Sequence, residues 1–189
     1  MAGIGRLWHP EVFQGRGKTR NYFEGWYYKL IDRDRSHVMA LIPGIALGRA
    51  GEDPHAFIQF IDAVKGKVGY ARFPFTEFVS EKQCFSVGIG ENRFTRDHLK
   101  LDLRRDGLDI RGELHFFDIL RFPGTLLSPG IMGPYTFVPF MECYHGIVNI
   151  RHRIEGTLVI GGEAVDLTGG EGYIEKDWGR SFPSSWVWL

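Results

Sequence analysis

The sequence predicts an all-β chain, an antiparallel β-barrel of about ten strands with hairpin connections. Three observations predict it. Short apolar and aromatic runs alternate with period two and are separated by Gly, Pro, Asn and Asp clusters, the pattern of strands joined by turns. No segment longer than a turn or two shows the i, i+3, i+4 apolar spacing of an amphipathic helix. The 189 residues include 25 glycines, and 14% are aromatic, which favours strands and tight turns. Closing the sheet, fully or nearly, is the economical arrangement because closure removes exposed edges. An aromatic-lined interior of that kind commonly binds an apolar ligand.

Residues 1–20 read as irregular, punctuated by Pro10, Gly15 and Gly17. Tyr22 to Ile31 is a dense aromatic strand with Tyr22, Glu24, Trp26 and Tyr28 on one face and Phe23, Gly25, Tyr27 and Lys29 on the other. Asp32 to Ser36 is a polar turn. His37 to Leu47 returns as a strand, interrupted at Pro43-Gly44. His55 to Ile61 and Val68 to Phe73 flank the turn Lys65-Gly-Lys67. Gln83 to Ile89 and Arg93 to Thr95 pair around Gly90-Glu-Asn92. Leu99 to Leu103 and Leu108 to Phe117 flank Arg105-Asp-Gly107, where Asp-Gly supplies the positive φ that a twisted hairpin needs. Phe122 to Pro139 is a long Pro- and Gly-rich loop. Phe140 to Ile150 is a strand, and Ile154 to Ile160 pairs with Glu163 to Leu167 across Gly161-Gly162.

A chain of 189 residues is long enough to bury a core as a single domain. The 23 basic and 23 acidic residues balance, which argues against a nucleic-acid partner or an anionic membrane surface. Cys84 and Cys143 are too few for a disulfide framework, and no CxxC occurs, which suits a reducing cytoplasm. The first ten residues lack the apolar core of a signal peptide. No apolar run approaches the ~18 residues that span a bilayer. Ser185-Trp-Val-Trp-Leu189 stops inside what reads as a strand, so the chain is expected to be the first half of a longer one.

The richest stretch is Gly169-Gly-Glu-Gly-Tyr-Ile-Glu-Lys-Asp-Trp-Gly-Arg-Ser-Phe-Pro183. As a strand it places Glu171, Tyr173, Glu175 and Asp177 on one face and Gly172, Ile174, Lys176 and Trp178 on the other. Burying such acids is unfavourable unless they are paired, protonated or used. Both a solvated, salt-bridged strand face and a functional face fit the spacing. Glu24, among Tyr22, Trp26 and Tyr28, reads either as a desolvated proton donor in an aromatic cage or as a carboxylate that pairs with an Arg or caps a backbone edge. Glu142 and Tyr144 share a face, with Cys143 and His145 opposite, and Tyr144-His145 suits either a proton relay or plain backbone satisfaction. His55, His98, His115, His145 and His152 follow no metal-binding spacing, and His145 and His152, seven apart, fall on opposite faces, so no metal is expected. No GxSxG nucleophile elbow occurs, and the Gly-Gly pairs sit in hairpins rather than before helices.

Three segments together resemble the tocopherol cyclase family. They are Trp8-His-Pro-Glu-Val-Phe-Gln-Gly15 with Asn21-Tyr-Phe-Glu-Gly-Trp-Tyr-Tyr-Lys29, then Gly133-Pro-Tyr-Thr-Phe-Val-Pro-Phe-Met-Glu-Cys-Tyr-His-Gly146, then Gly170-Glu-Gly-Tyr-Ile-Glu-Lys-Asp-Trp-Gly-Arg-Ser-Phe-Pro183. The third is also similar to an element of carotenoid hydratases in the wider lipocalin-like group. The resemblance implies a lipocalin-like barrel, usually one of two in the family. It implies cofactor-independent, acid-catalysed ring closure of a prenylated hydroquinone to a chromanol. Glu24, Glu175 and Asp177 are then the candidate acids, and Trp26, Tyr28, Glu142, Tyr144, His145, Tyr173 and Trp178 the candidate substrate contacts. The expected partner is a small lipophilic molecule, a prenylated quinol or other isoprenoid. A second barrel, a homodimer and peripheral contact of a cytoplasmic protein with a membrane stay open. Two other functions compete. A non-catalytic carrier would have every acid exposed or paired with a base such as Lys29, Arg151, Arg153, Lys176 or Arg180. A hydratase-like enzyme would leave a route for water.

Overall fold

The computed structural model describes residues 5–48, 51–139 and 141–182, with the backbone alone at residues 5 and 6. The strand reading of Ser185 to Leu189 and the predicted strand start at Phe140 lie outside the described residues. A 3-10 turn at Gly5–Trp8 precedes β1 (Tyr22–Ile31), β2 (Val38–Leu47), β3 (His55–Asp62) and β4 (Lys67–Pro74). A second 3-10 turn, Phe75–Glu77, leads to β5 (Phe78–Ser80), β6 (Ser86–Ile89), β7 (Asn92–Thr95), β8 (His98–Arg105) and β9 (Leu108–Leu120). A third, Gly133–Phe137, lies before β10 (Cys143–Ile160), β11 (Glu163–Asp166) and β12 (Glu171–Gly179). Every ladder is antiparallel. The all-β, barrel-like reading therefore holds, with twelve strands where about ten were expected.

Three expectations are corrected. Pro43 does not interrupt its strand. It lies in a gap of the β1–β2 register, between Gly25↔Gly44 and Tyr28↔Leu41, where its missing N–H leaves no ladder bond unmade. The two strands predicted on either side of residues 151–153 are one, β10, bent by register shifts at Ile147/Asn149 and Asn149/His152. Two bulges restore parity, so His145 and His152 still end on opposite faces. Finally, hydrogen bonds do not close the barrel among the described residues. The sheet runs β4-β3-β2-β1-β12-β10-β9-β8-β7-β6-β5, with β11 pairing β10 off this path, and its two edges are consecutive in the chain.

Side chains blunt those edges. The Arg72 N–H of β4 donates to the Asp106 carboxylate at 2.9 Å, and the Arg105 guanidinium donates to the Arg72 carbonyl at 3.0 Å. On β5, Arg16 donates to the carbonyls of Ser80 at 3.2 Å and Glu81 at 2.7 Å. Occupied groups of this kind are unavailable to a foreign strand. The predicted Asp-Gly and Gly-Gly hairpins form, with φ of 51° and 81° at Asp106 and Gly107 and of 60° and 90° at Gly161 and Gly162.

The inner face is packed solid. Alternate residues of β1 (Tyr22, Glu24, Trp26, Tyr28, Leu30) are buried, and Tyr28 lies 5.8 Å from Phe94 and 6.2 Å from Phe116, ring to ring. Trp26 stacks on Phe85 at 5.9 Å. Aromatic side chains thus fill the centre that the sequence suggested they would line. The cleft of about 730 Å³ beside β4 opens instead at the surface, between Asp53, Arg72, Phe75 and Asp106. Among the described residues no helix is long and apolar enough to cross a membrane, which says nothing about strands.

Candidate functional site

β1 and β12 pair along their whole length, and the ladder has two chemically distinct faces. On the inner face, Glu24 and Lys176 are both fully buried, with Lys176 Nζ 2.5 Å from Glu24 Oε1. Glu24 also accepts the backbone N–H of Gln14 at 2.8 Å, that of Gly15 at 2.8 Å and the Tyr22 hydroxyl at 2.5 Å. Lys176 donates further to the carbonyls of Pro10 at 2.7 Å and Val12 at 2.6 Å. Its Nζ lies between Trp26 and Trp178, 4.9 and 4.7 Å from the ring centroids. The aromatic cage expected around Glu24 therefore closes on the lysine, and Glu24 is the acceptor of a saturated network.

The same face holds the other aromatic candidates. Trp26 donates from its indole to the Glu11 carbonyl at 2.8 Å, and Tyr28 from its hydroxyl to the Thr95 carbonyl at 2.7 Å. Trp178 stacks on Tyr144 at 5.6 Å, whose hydroxyl is bonded to the Val138 carbonyl at 2.6 Å rather than relaying a proton to His145. Glu142 is exposed, and its carbonyl, not its carboxylate, is engaged, by Arg180 N–H at 2.8 Å.

The outer face brings four predicted residues together. Tyr173, Glu175 and Asp177 project from β12, and His145 enters from β10, directly opposite Asp177. His145 Nδ1 is 2.8 Å from Asp177 Oδ1, and its Nε2 is 3.7 Å from Glu175 Oε2. The Tyr173 hydroxyl donates to Glu175 at 2.6 Å. Glu175 is 4% exposed. Burial raises its pKa, the Tyr173 hydrogen bond and the charges of His145 and Lys29 oppose that, Asp177 reinforces it, and the net direction is up. Burial pulls His145 down, but the hydrogen bond and charge of Asp177, with Glu175 behind it, outweigh this, and its pKa is raised.

The register extends this face across the sheet. One row reads His145, Asp177, Gly25, Gly44, Phe57, and beside it Ile147, Glu175 and Tyr27 are in register, as are Ile42 and Gln59 on the strands beyond. A Cβ at Gly25 would be in ordinary contact with Ile42, Pro43 and Phe57 at 3.6–3.9 Å, and one at Gly44 would run into the Phe57 ring at 2.5 Å, so that ring covers the glycines beside Asp177. Phe57 in turn stacks on Tyr70 at 5.1 Å. Tyr27, Phe57 and Tyr70 were missed by sequence reasoning. Period-two alternation put Tyr27 on the face opposite Trp26, but nothing in the sequence paired that face with Glu175.

Two donor sets among the described residues have metal-ligand character, His145 with Glu175 and Asp177, and His98 with Glu113 and His115. Each keeps its ligand atoms within 4.8 Å of one another.

No protein-family model and no curated protein matches the chain. Solved structures do. One is the crystal structure of CghA with Sch210972, with a TM-score of 0.51 and 12% identity over 84% of this chain and 46% of that one. Another is the crystal structure of CghA, with a TM-score of 0.50 and 11% identity over 85% of this chain and 46% of that one. Identities this low establish the fold alone. The chain spans about 46% of the length of these neighbours.

Proposed function

We propose that the outer face of β1, β10 and β12 is the reaction site of a tocopherol cyclase-like protein, which closes a prenylated hydroquinone to a chromanol, with Glu175 as the acid. The observation that carries the reading is the buried Glu175 carboxyl, raised in pKa, facing no Lys or Arg within ion-pair distance among the described residues, and aligned by Tyr173. A carboxyl whose pKa is raised by burial suits proton donation better than an exposed one.

The proton passes from Glu175 to the less substituted alkene carbon, leaving a tertiary cation. The phenolic oxygen attacks that cation and closes the ring. The phenolic proton returns to the Glu175 carboxylate, so no cofactor and no net proton is consumed. The faces of Tyr27 and Tyr173 stabilise the transient cation through their quadrupoles. The His145 imidazole, raised in pKa by its Asp177 partner, supplies the positive charge that steadies the carboxylate formed when the proton leaves. The stacked Phe57 and Tyr70 rings beside it offer an apolar surface for the isoprenoid tail. Keeping water from an open face calls for a cover, a second barrel or a second copy of this chain. The buried Glu24–Lys176 pair, by contrast, is what a carrier would show, and Glu175 is what separates the two readings.

The test is single-turnover incubation with a phytyl-benzoquinol in D₂O, resolved by chromatography and mass. The expected product is a chromanol carrying one deuterium at the former alkene, formed equally with a chelator present. A product one water heavier identifies a hydratase, and binding without conversion identifies a carrier.

A further inference from the structure

We infer that the outer wall of the β8–β9 hairpin carries a divalent transition-metal site, of the Zn²⁺ class, built from His98, Glu113 and His115. The site is separate from the acid cluster, which lies at the other end of β10. It arises from register and not from sequence spacing. His98 and His115 are direct cross-strand partners on β8 and β9, and their rings stand 4.8 Å apart. Glu113 shares the face of His115 two residues along β9. One carboxylate oxygen, Glu113 Oε1, faces both imidazoles, 2.5 Å from His98 Nε2 and 3.8 Å from His115 Nε2.

Zn²⁺ takes imidazole nitrogen and carboxylate oxygen at about 2.0–2.2 Å, which sets tetrahedral ligand atoms roughly 3.3 Å apart. The three donor atoms already lie within 4.8 Å of one another. Reaching that geometry requires the short His98–Glu113 contact to open and the His115 contact to close slightly. Partly exposed side chains on fixed strands can make both movements by small χ rotations. The Glu113 carboxyl is held below its usual range, first by the His98 hydrogen bond and then by the charges of His98, His115 and Lys100, so it is available as an anionic ligand. Glu155 of β10 stands directly opposite His115 and adds a second carboxylate on this face. Lys100, directly opposite Glu113, is the neighbouring cation that a bound metal must tolerate. Two imidazoles with carboxylate and no thiolate favour Zn²⁺, Ni²⁺ or Cu²⁺ over the all-oxygen preference of Ca²⁺ and Mg²⁺.

The experiment is calorimetric titration of the apo chain with Zn²⁺ near neutral pH, with thermal melts alongside. Wild type should bind Zn²⁺ and melt at higher temperature in its presence, by mass action on the folded state. His98→Asn with His115→Asn should weaken binding more than about tenfold and abolish the melting shift, because two of three ligands are gone. Glu113→Gln should weaken binding less, and His145→Asn should leave it intact. A His98→Asn/His115→Asn isotherm that superimposes on that of wild type, or loss of binding in His145→Asn alone, overturns the assignment. Far-ultraviolet circular dichroism and the metal-free melt confirm that the variants are folded.

Discussion

The two faces of the β1–β12 ladder each bury a glutamate, and they use it in opposite ways. On the inner face Glu24 receives an ammonium, two backbone amides and a phenol, so its charge is fully matched. On the outer face Glu175 receives one phenol and an imidazole nitrogen 3.7 Å away, and burial pushes its pKa up. Residue type and strand pair are shared, so the difference lies in how many donors each face supplies. The two histidines of β10 diverge in the same way. His145 is raised by its Asp177 partner, whereas His152, buried against Phe116 with Nε2 unpartnered, is lowered to about 4 by burial. The inner face matches its buried charge with donors, and the outer face leaves its buried carboxyl with fewer of them.

The strongest way to break this comparison is Lys176→Met. It leaves Glu24 as an uncompensated buried charge and should destabilise the chain by about 3–5 kcal/mol in urea melts. A loss under 1 kcal/mol would mean that the pair is not what holds the inner face. Next is Glu175→Gln, which should lower single-turnover rates by ~10²–10⁴. Its stability should not fall. A carboxyl whose folded pKa is raised contributes stability below the unfolded value, and that contribution is lost as pH rises through the folded value. Above the folded pKa the ionised side chain is therefore a burden that Gln removes. A lower melting temperature with unchanged turnover would assign Glu175 a structural role.

His152 sharpens the contrast through pH. Its folded value is about 4 against 6.5 unfolded, so it penalises folding as pH falls from 6.5 to about 4, by roughly 3 kcal/mol when complete. In an NMR titration of the imidazole protons, His152 should titrate near 4 and His145 above its ordinary value, and two coincident curves would erase the distinction. The smallest effect is expected from Tyr173→Phe. Losing the hydroxyl that favours the Glu175 carboxylate should move the pH limb of turnover upward, with less than about a tenfold change at the optimum. A shift downward would reverse the sign assigned to that hydrogen bond.

What could be read from the sequence was local. Alternation placed Glu175, Asp177 and Tyr173 on one face and Lys176 and Trp178 on the other, because side-chain direction in a strand depends only on parity. Asp106-Gly107 and Gly161-Gly162 marked their hairpins because backbone sterics set their φ. What could not be read depended on register between distant strands. Nothing local indicated that Lys176 would meet Glu24, that His145 would stand opposite Asp177, or that His98 would face His115. Glu24, Glu175 and Asp177 were singled out because burying them is unfavourable, and only the strand pairing showed that Glu24 meets Lys176 and Asp177 meets His145. The continuity of β10 was hidden because its two bulges look, along the chain, like the end of one strand and the start of another.

The strap from Pro10 to Gly15 has a consequence for synthesis. Its carbonyls hold Lys176 and its amides hold Glu24, so a segment synthesised before β1 is fastened by one synthesised only with β12. β1 can take β2 as a neighbour early, but its other flank waits for β12. Until then Glu24 lacks its cation, and an aromatic strand edge stands unmatched. A nascent chain stalled before residue 176 should be held in this protease-sensitive, chaperone-seeking form, and release of the final strand should set the pace of folding.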